Sequence, residues 1–249
     1  MSEEIRINKY LSESGFCSRR EADRLLEAGR ITINGDLALM GSKVKPNDKV
    51  CVDGKPIKNN EKPVILAVNK PQGIVCTTAK VEKDNIVDFV NYHKRVYPVG
   101  RLDKSSEGLI LMTNMGDLVN KIMRAGNYHE KEYLVTVNKD ITDDFLMKMR
   151  NGVPILDTVT RPCTVEKIGR RKFRIILTQG LNRQIRRMCE YLDFRVVYLK
   201  RIRIMNIKLG DLKTGEYREL TNKEISELMK LTANSSSETV KDGREKKQN

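Results

Sequence analysis

A lone aspartate stands two residues after an arginine in GRLDKSSEGL, residues 100–109, where the chain turns into the apolar run Leu109-Ile110-Leu111-Met112. No histidine or cysteine lies near Asp103 in sequence, and no second acid stands at an obvious catalytic spacing. A single carboxylate serves as a nucleophile or as a base, whereas a glycosidase that drives water into the bond needs two. Two other segments carry groups that suit such an acid. In KEYLVTV, residues 131–137, strand alternation puts Tyr133, Val135 and Val137 on one face and Glu132, Leu134 and Thr136 on the other. A tyrosine at the head of the more apolar face either offers a flat surface to a base or fills the core. In LTQGLNRQIRRMCEYL, residues 177–192, Ile185, Met188, Cys189 and Leu192 repeat at helical spacing and form a buried stripe. Arg183, Arg186 and Arg187 fall on a different face near the helix start, with Asn182 as the expected N-cap. Three guanidiniums there suit phosphates, or one carboxylate plus phosphates; the competing account is a solvated surface.

The elements that must position these groups are readable from pattern. An α+β fold is expected, with a small N-terminal unit at 1–61, a larger domain at 62–232 and a polar, disordered tail at 233–249; KNNEKP, residues 58–63, reads as the linker. In the N-terminal unit the pattern predicts a short helix at 5–13 and a second one opened by Ser18 and Glu21 as a capping box. Ala22, Leu25 and Leu26 form the inner face of the second helix, and Arg19, Arg20 and Arg24 lie outside. The strand ITI and an Asn34-Gly35 hairpin turn follow. Beyond the linker, VILAVN, LILMT, YLVTV, FRIIL, RVVYL and IRIMNIKL read as strands, and helices are expected at 85–94, 116–125, 142–150, 182–193 and 222–231. Neighbouring strands often lack a helical crossover, which favours a mainly antiparallel sheet.

Charge narrows the partner. The chain of 249 residues carries a formal net charge of +14. The stretch 167–203 alone holds 12 basic and 2 acidic residues. A polyanion fits this imbalance better than a small neutral ligand. The five cysteines have no close spacing, so reduced thiols in a cytoplasmic protein are expected rather than a metal site or a disulfide framework. No phosphate loop or dinucleotide loop is present, and no apolar run approaches membrane-spanning length.

The N-terminal unit, over about residues 5–57, resembles the S-four type of RNA-binding domain. The three motifs GRLDKSSEGL, KEYLV and QGLNRQIRRM, in that order, resemble the pseudouridine synthases of the RsuA/RluF branch, and NKPQGIV (69–75) and DNIVDFVN (84–91) resemble its RluF members. The resemblance implies an isomerase that detaches uracil from ribose at nitrogen-1, turns the ring and rejoins it through carbon-5, with no cofactor and no metal. It implies Asp103 as the catalytic aspartate, Arg186 as the arginine that pairs with it, and Tyr133 as the aromatic that stacks on the uracil. It further implies Arg101 as the residue that fills the gap left by the flipped nucleotide, with Arg183 and Arg187 on backbone phosphates and Arg19, Arg20 and Arg24 on RNA. The implied partner is a stem-loop of large-subunit (23S) ribosomal RNA, met by a monomer away from any membrane. Small-subunit RNA or a transfer RNA are the alternatives within the enzyme class, and a non-catalytic ribosome-assembly factor is the alternative outside it.

Overall fold

The computed structural model describes residues 4–58, 62–79 and 81–235. The chain divides into two compact units, Met1–Val64 with His93–Arg95, and Ile65–Tyr92 with Val96–Asn249. The linker expected at 58–63 and the tail expected at 233–249 fall largely on 59–61 and 236–249, outside the described residues.

The first unit comprises β1 (Ile5–Arg6), α1 (Ile7–Glu13), α2 (Arg19–Glu27), β2 (Ile31–Ile33), β3 (Asp36–Leu37), β4 (Lys43–Val44), β5 (Val50–Val52) and β6 (Lys55–Pro56). Its core joins Ile7 and Leu11 of α1 to Ala22, Leu25 and Leu26 of α2 and to Ile31, Val50 and Val52 of the sheet. Ser18 caps α2 by accepting from the Glu21 amide at 3.1 Å, but the Glu21 carboxylate turns to Arg24 at 3.3 Å, so only half of the expected box forms. Asn34 and Gly35 both adopt positive φ, 55° and 99°, the geometry a two-residue hairpin turn requires. His93–Arg95 belongs to this unit, where Arg95 Nη1 donates to the Ser12 backbone and hydroxyl oxygens at 3.5 and 3.4 Å. The helix expected at 85–94 accordingly stops early, because Asn91 turns left-handed at φ 44°.

The second unit runs β7 (Ile65–Lys70), α3 (Ile86–Val90), β8 (Tyr97–Val99), β9 (Glu107–Thr113), α4 (Gly116–Met123), β10 (Lys131–Val137), α5 (Asp143–Asn151), β11 (Pro154–Ile155), β12 (Thr158–Val159), β13 (Thr164–Gly169), β14 (Lys172–Leu177), α6 (Gln184–Tyr191), β15 (Val196–Ile204), β16 (Ile207–Lys208), β17 (Tyr217–Glu219) and α7 (Asn222–Thr232). The main sheet is ordered β13-β14-β10-β15-β9-β7-β17, with β16 on β15 and β8 on β9. Every pairing in it is antiparallel except β9 with β15, which run parallel through two positions, Glu107 with Lys200 and Gly108 with Arg201. Val135, Val137, Phe173 and Ile175 from one face of the sheet pack with Phe145, Leu146 and Met149 of α5 and with Ile185, Met188 and Cys189 of α6. Each such side chain contributes about 1.5–3 kcal/mol of burial.

Two details of this sheet decide where the site residues point. First, RVVYL and the opening IRI of IRIMNIKL, expected in two strands, join in the single strand β15, while the rest of IRIMNIKL turns back as β16; the charged pair Lys200-Arg201 between the two segments lies in the interior of β15. Second, β15 bulges opposite Glu132 and Tyr133: Glu132 faces Arg203, but Tyr133 faces Arg201. Residues two apart on a regular strand share a face; the extra residue breaks that rule. Arg203 therefore pairs with Glu132 at 2.6 Å and Glu130 at 2.9 Å, while Arg201 turns to the side of Tyr133 and is 2% exposed.

The parallel contact leaves no room at Gly108. With φ at +105°, an added Cβ would sit 2.2 Å from the Arg201 carbonyl oxygen and 2.7 Å from its nitrogen. Gly108→Ala is expected to destabilise the protein by about 1–3 kcal/mol or more, read as a lower denaturant midpoint. At the far end of the chain Thr221 and Glu224 form a complete capping box on α7, and Arg218 binds Glu224 at 2.7 and 2.8 Å. The Arg218 hydrogen bonds chiefly hold the Glu224 carboxyl down at about 2, against an ordinary 4.5. Its stabilising effect is therefore complete above about pH 4.5 and is lost as pH falls through about 2. Glu224→Gln is expected to lower the melting temperature at pH 7 and to leave it near that of the parent at pH 2.

Candidate active site

The loop that carries Asp103 is held from below. Leu102 is buried, and its amide donates to the Cys76 sulfur at 3.4 Å; the Ser106 amide donates to the Asp103 carbonyl at 3.0 Å, and the Gly73 amide to the Lys104 carbonyl at 2.8 Å. Lys70, fully buried, ties the Gly73 turn together by donating to the Pro71 and Ile74 carbonyls at 2.8 and 2.9 Å. The loop then enters β9, whose parallel contact sets it against β15 and, one strand further on, β10.

Opposite the loop stands α6. Its first turn differs from the expectation: the helix starts at Gln184, and the N-cap is Arg183, left-handed at φ 51°, rather than Asn182. No side chain caps the first-turn amides; the Gln184 side chain reaches back and accepts from the Leu181 amide at 3.0 Å. Asn182 is instead gripped by Arg187, which donates to its backbone and side-chain oxygens at 3.1 and 3.3 Å. A non-glycine residue in the left-handed region is uncommon and tends to mark functional turns; here it carries the Arg183 guanidinium to 4.0 Å from Asp103.

Arg186 Nε lies 3.7 Å from Asp103 Oδ2. At that distance the pair is an ion contact rather than a direct hydrogen bond, and Nε has no other partner. The rest of the guanidinium is fixed by the Ser105 carbonyl and the Ser106 hydroxyl, both at 3.2 Å, and by the Val196 carbonyl at 3.5 Å. Burial pulls the Arg186 guanidinium below its ordinary value, and Asp103 counters that fall. Coulomb attraction at this separation is on the order of 4 kcal/mol with an effective dielectric near 20; solvent at the carboxylate, whose side chain is 33% exposed, reduces it. Asp103 is thus only partly buried.

A cavity of about 500 Å³ opens between loop and helix. That is within the range of about 300–1,000 Å³ common to small-ligand sites. Asp103, Arg101, Tyr133, Arg183 and Arg186 all line it. Tyr133 is half-buried and packs against the core on its inner side. Arg187 does not line the cavity, being engaged with Asn182. Arg19, Arg20 and Arg24 are exposed on α2 of the first unit. Three lining residues went unnoticed in sequence. Ser106 is fully buried and fixes Arg186. Lys131 is 5% exposed, and burial, with Arg201 nearby, pulls its ammonium down to about 8. Arg201 donates from Nε to the Leu109 carbonyl at 2.6 Å, and its Nη2 is buried without a partner. Lys131 was visible as the residue two before Tyr133, on the same strand face; nothing local marks Arg201.

The basic stretch 167–203 divides by location. Arg170 and Arg171 pair with Asp140, Arg174 with Glu132 and Glu166, and Lys200 with Glu107. Much of its charge thus balances acids within the fold, while Arg183, Arg186 and Arg201 reach the cavity. Among the described residues there is no cluster of three or more potential metal ligands, and no helix is long and apolar enough to cross a membrane.

Comparison with known proteins identifies the family. A family model described as RNA pseudouridylate synthase matches residues 64–191, and an S4 domain model matches residues 5–50. The chain is 59% identical over 236 residues to the dual-specificity RNA pseudouridine synthase RluF of Shigella flexneri, covering 94% of this chain and 81% of that protein. It is 32% identical over 235 residues to the ribosomal large subunit pseudouridine synthase B of Bacillus subtilis, covering 91% and 96%. A crystal structure of a pseudouridylate synthase superposes with a TM-score of 0.66 at 27% identity, covering 90% of this chain and 99% of that one. The chain therefore belongs to the RNA pseudouridine synthases, isomerases of uridine in RNA, and carries an S4 domain ahead of its synthase domain.

Proposed function

We propose that the protein converts a uridine of large-subunit (23S) ribosomal RNA, presented in a stem-loop and flipped into the cavity, to pseudouridine. The observation that carries this reading is the convergence of Asp103, Tyr133 and Arg186 on one cavity. The carboxylate of Asp103, kept beside the Arg186 guanidinium, acts at the ribose as nucleophile or base. The uracil ring rests on Tyr133, a contact worth about 1–3 kcal/mol. Leu102, Met123, Ile185 and Leu199 in the lining keep water from the detached base. Arg101, exposed at the rim, fills the space the nucleotide leaves, offsetting an extrusion cost of a few kcal/mol. Arg183 takes a backbone phosphate at the cavity mouth, and Arg19, Arg20 and Arg24 contact RNA from the S4 domain. Arg187 serves the site by holding the turn at Asn182. The protein works as a cytoplasmic monomer. A second RNA substrate is favoured by the dual-specificity designation of the relatives at 59% identity.

Asp103→Asn is expected to lower single-turnover pseudouridine formation by at least about 10³-fold, measured by carbodiimide mapping of ribosomal RNA and transfer RNA incubated with enzyme. Unchanged yield on every RNA would leave the non-catalytic assembly factor as the better account. Tyr133→Phe keeps the stacking ring and is expected to stay within about tenfold of the parent, while Tyr133→Ala loses the 1–3 kcal/mol of stacking, or roughly 5- to 150-fold. A collapse of the Phe variant would assign the work to the hydroxyl instead.

A further inference from the structure

The buried groups at the cavity wall and behind it carry more positive charge than their ion pairs balance. Lys70, Lys131 and Arg201 are 0%, 5% and 2% exposed. Among the described residues no carboxylate forms an ion pair with any of them; their hydrogen-bond partners are backbone carbonyls, of Pro71 and Ile74 for Lys70, of His129 for Lys131 and of Leu109 for Arg201. Arg201 Nη2 is left with no partner at all. An unmet buried donor on a charged group is costly, and such a donor in a native fold calls for an explanation. Arg201 and Lys131 both line the cavity, and the Arg201 guanidinium carbon is 6.0 Å from the centre of the Tyr133 ring. A bulge and a glycine contact secure this placement: the bulge turns Arg201 away from the paired acids of the opposite face, and Gly108 admits its backbone. Two structural irregularities are thus spent on burying a guanidinium that no acid in the fold receives.

The reaction supplies what is missing. When the bond from C1′ to N1 breaks, the electron pair stays on the uracil, and the negative charge spreads over N1 and the two carbonyl oxygens. C1′ is meanwhile taken by the Asp103 carboxylate, or its neighbour C2′ gives a proton to it. Later C5 bonds to C1′ as the bond between C1′ and the carboxylate breaks, or as the carboxylate returns the proton to C2′; C5 then releases its proton and N1 gains one, so nothing enters or leaves overall. Between the two steps a free uracil anion occupies the cavity. We propose that the unpartnered Nη2–H of Arg201, reinforced by the neighbouring Lys131 ammonium, donates to a carbonyl oxygen of that anion and so stabilises the transition state for glycosidic cleavage. This rests on the reading above that the ring lies on Tyr133. A preorganised donor aimed at developing charge acts most strongly in a water-poor site, and its loss typically costs 10²–10³ in rate. The mutual repulsion of two adjacent buried cations is relieved when an anion arrives, which also favours Lys131 in its charged form during the reaction.

The test varies the acidity of the leaving group. Fluorine at carbon-5 stabilises the uracil anion intrinsically, so cleavage from 5-fluorouridine needs less help from a cation. Arg201→Gln is expected to slow single-turnover cleavage of a uridine-containing ribosomal RNA fragment about 100-fold, and cleavage of the same fragment with 5-fluorouridine at the target by about tenfold or less, with RNA affinity unchanged. Arg201→Lys, which keeps the charge, and Lys131→Met, which leaves the bond from Arg201 to Leu109 in place, are expected to lose less but to show the same preference; they carry the test if Arg201→Gln does not fold. Equal slowing of both substrates by every folded variant overturns the proposal and leaves Arg201 as a packing residue. Asp103→Asn run alongside separates the two readings. If it retains parental activity, the site assignment fails and this proposal fails with it; if it is inactive while the Arg201 variants show no substrate dependence, only the role of Arg201 falls.

Discussion

Two residue pairs of parallel strand contact hold the site together. Where β9 meets β15, Gly108 presses against the backbone of Arg201 at a distance no side chain tolerates. Antiparallel hairpins can be built locally, but a parallel contact has to be closed by distant chain, and here the residues are 93 positions apart in number, 108 and 201. On one side of the contact the chain leads back to the loop of Asp103. On the other it continues across to β10 and Tyr133. The contact therefore sets the separation between acid and ring, and α6 closes over both because its stripe of Ile185, Met188 and Cys189 is buried in the core that β10 and β14 form.

Electrostatics divides along the same sheet. On one face Glu132 is gripped by Arg174 and Arg203, and Glu107 by Lys200 and by the Tyr198 hydroxyl. These pairs pull the Glu132 carboxyl below its ordinary value, against the desolvation that raises it, and they saturate their partners. On the other face the charges are left unmatched in favour of the cation. Asp103 stands before Arg186 and Arg183, with Lys131 and Arg201 further in. A site of that polarity suits an anionic occupant, and it costs the resting fold the desolvation of groups it does not pair. Real proteins break local rules at functional sites and compensate elsewhere; here the compensation is the dense apolar core beneath.

Much of this was legible in sequence, and the misses have identifiable causes. The hairpin turn at Asn34-Gly35, the Ser18 cap and the stripe on α6 were read correctly because each depends on chemistry within a few residues. Asp103, Tyr133 and Arg186 were named together only through resemblance to a family; no local pattern says that residues 103, 133 and 186 meet. Arg201 was passed over because a charged pair inside an apolar run reads as a break between strands. In the structure the break is absent, and the charge is what the strand delivers to the cavity. Asn182 was a sound N-cap by type, yet Arg187 claims it and Arg183 takes the position in a left-handed conformation.

By itself the sequence determined the α+β class, the small N-terminal unit, where most helices lie, and which strand faces are apolar, since periods of two and 3.6 residues act over short range. Only the tertiary structure decided which cations find acids and which face the cavity, that Asp103 keeps a third of its side chain in solvent, and that one bulge sends Arg201 and Arg203 to opposite sides. Those outcomes depend on strand register and on backbone approach between distant segments, and such distances are set by packing rather than by neighbours along the chain.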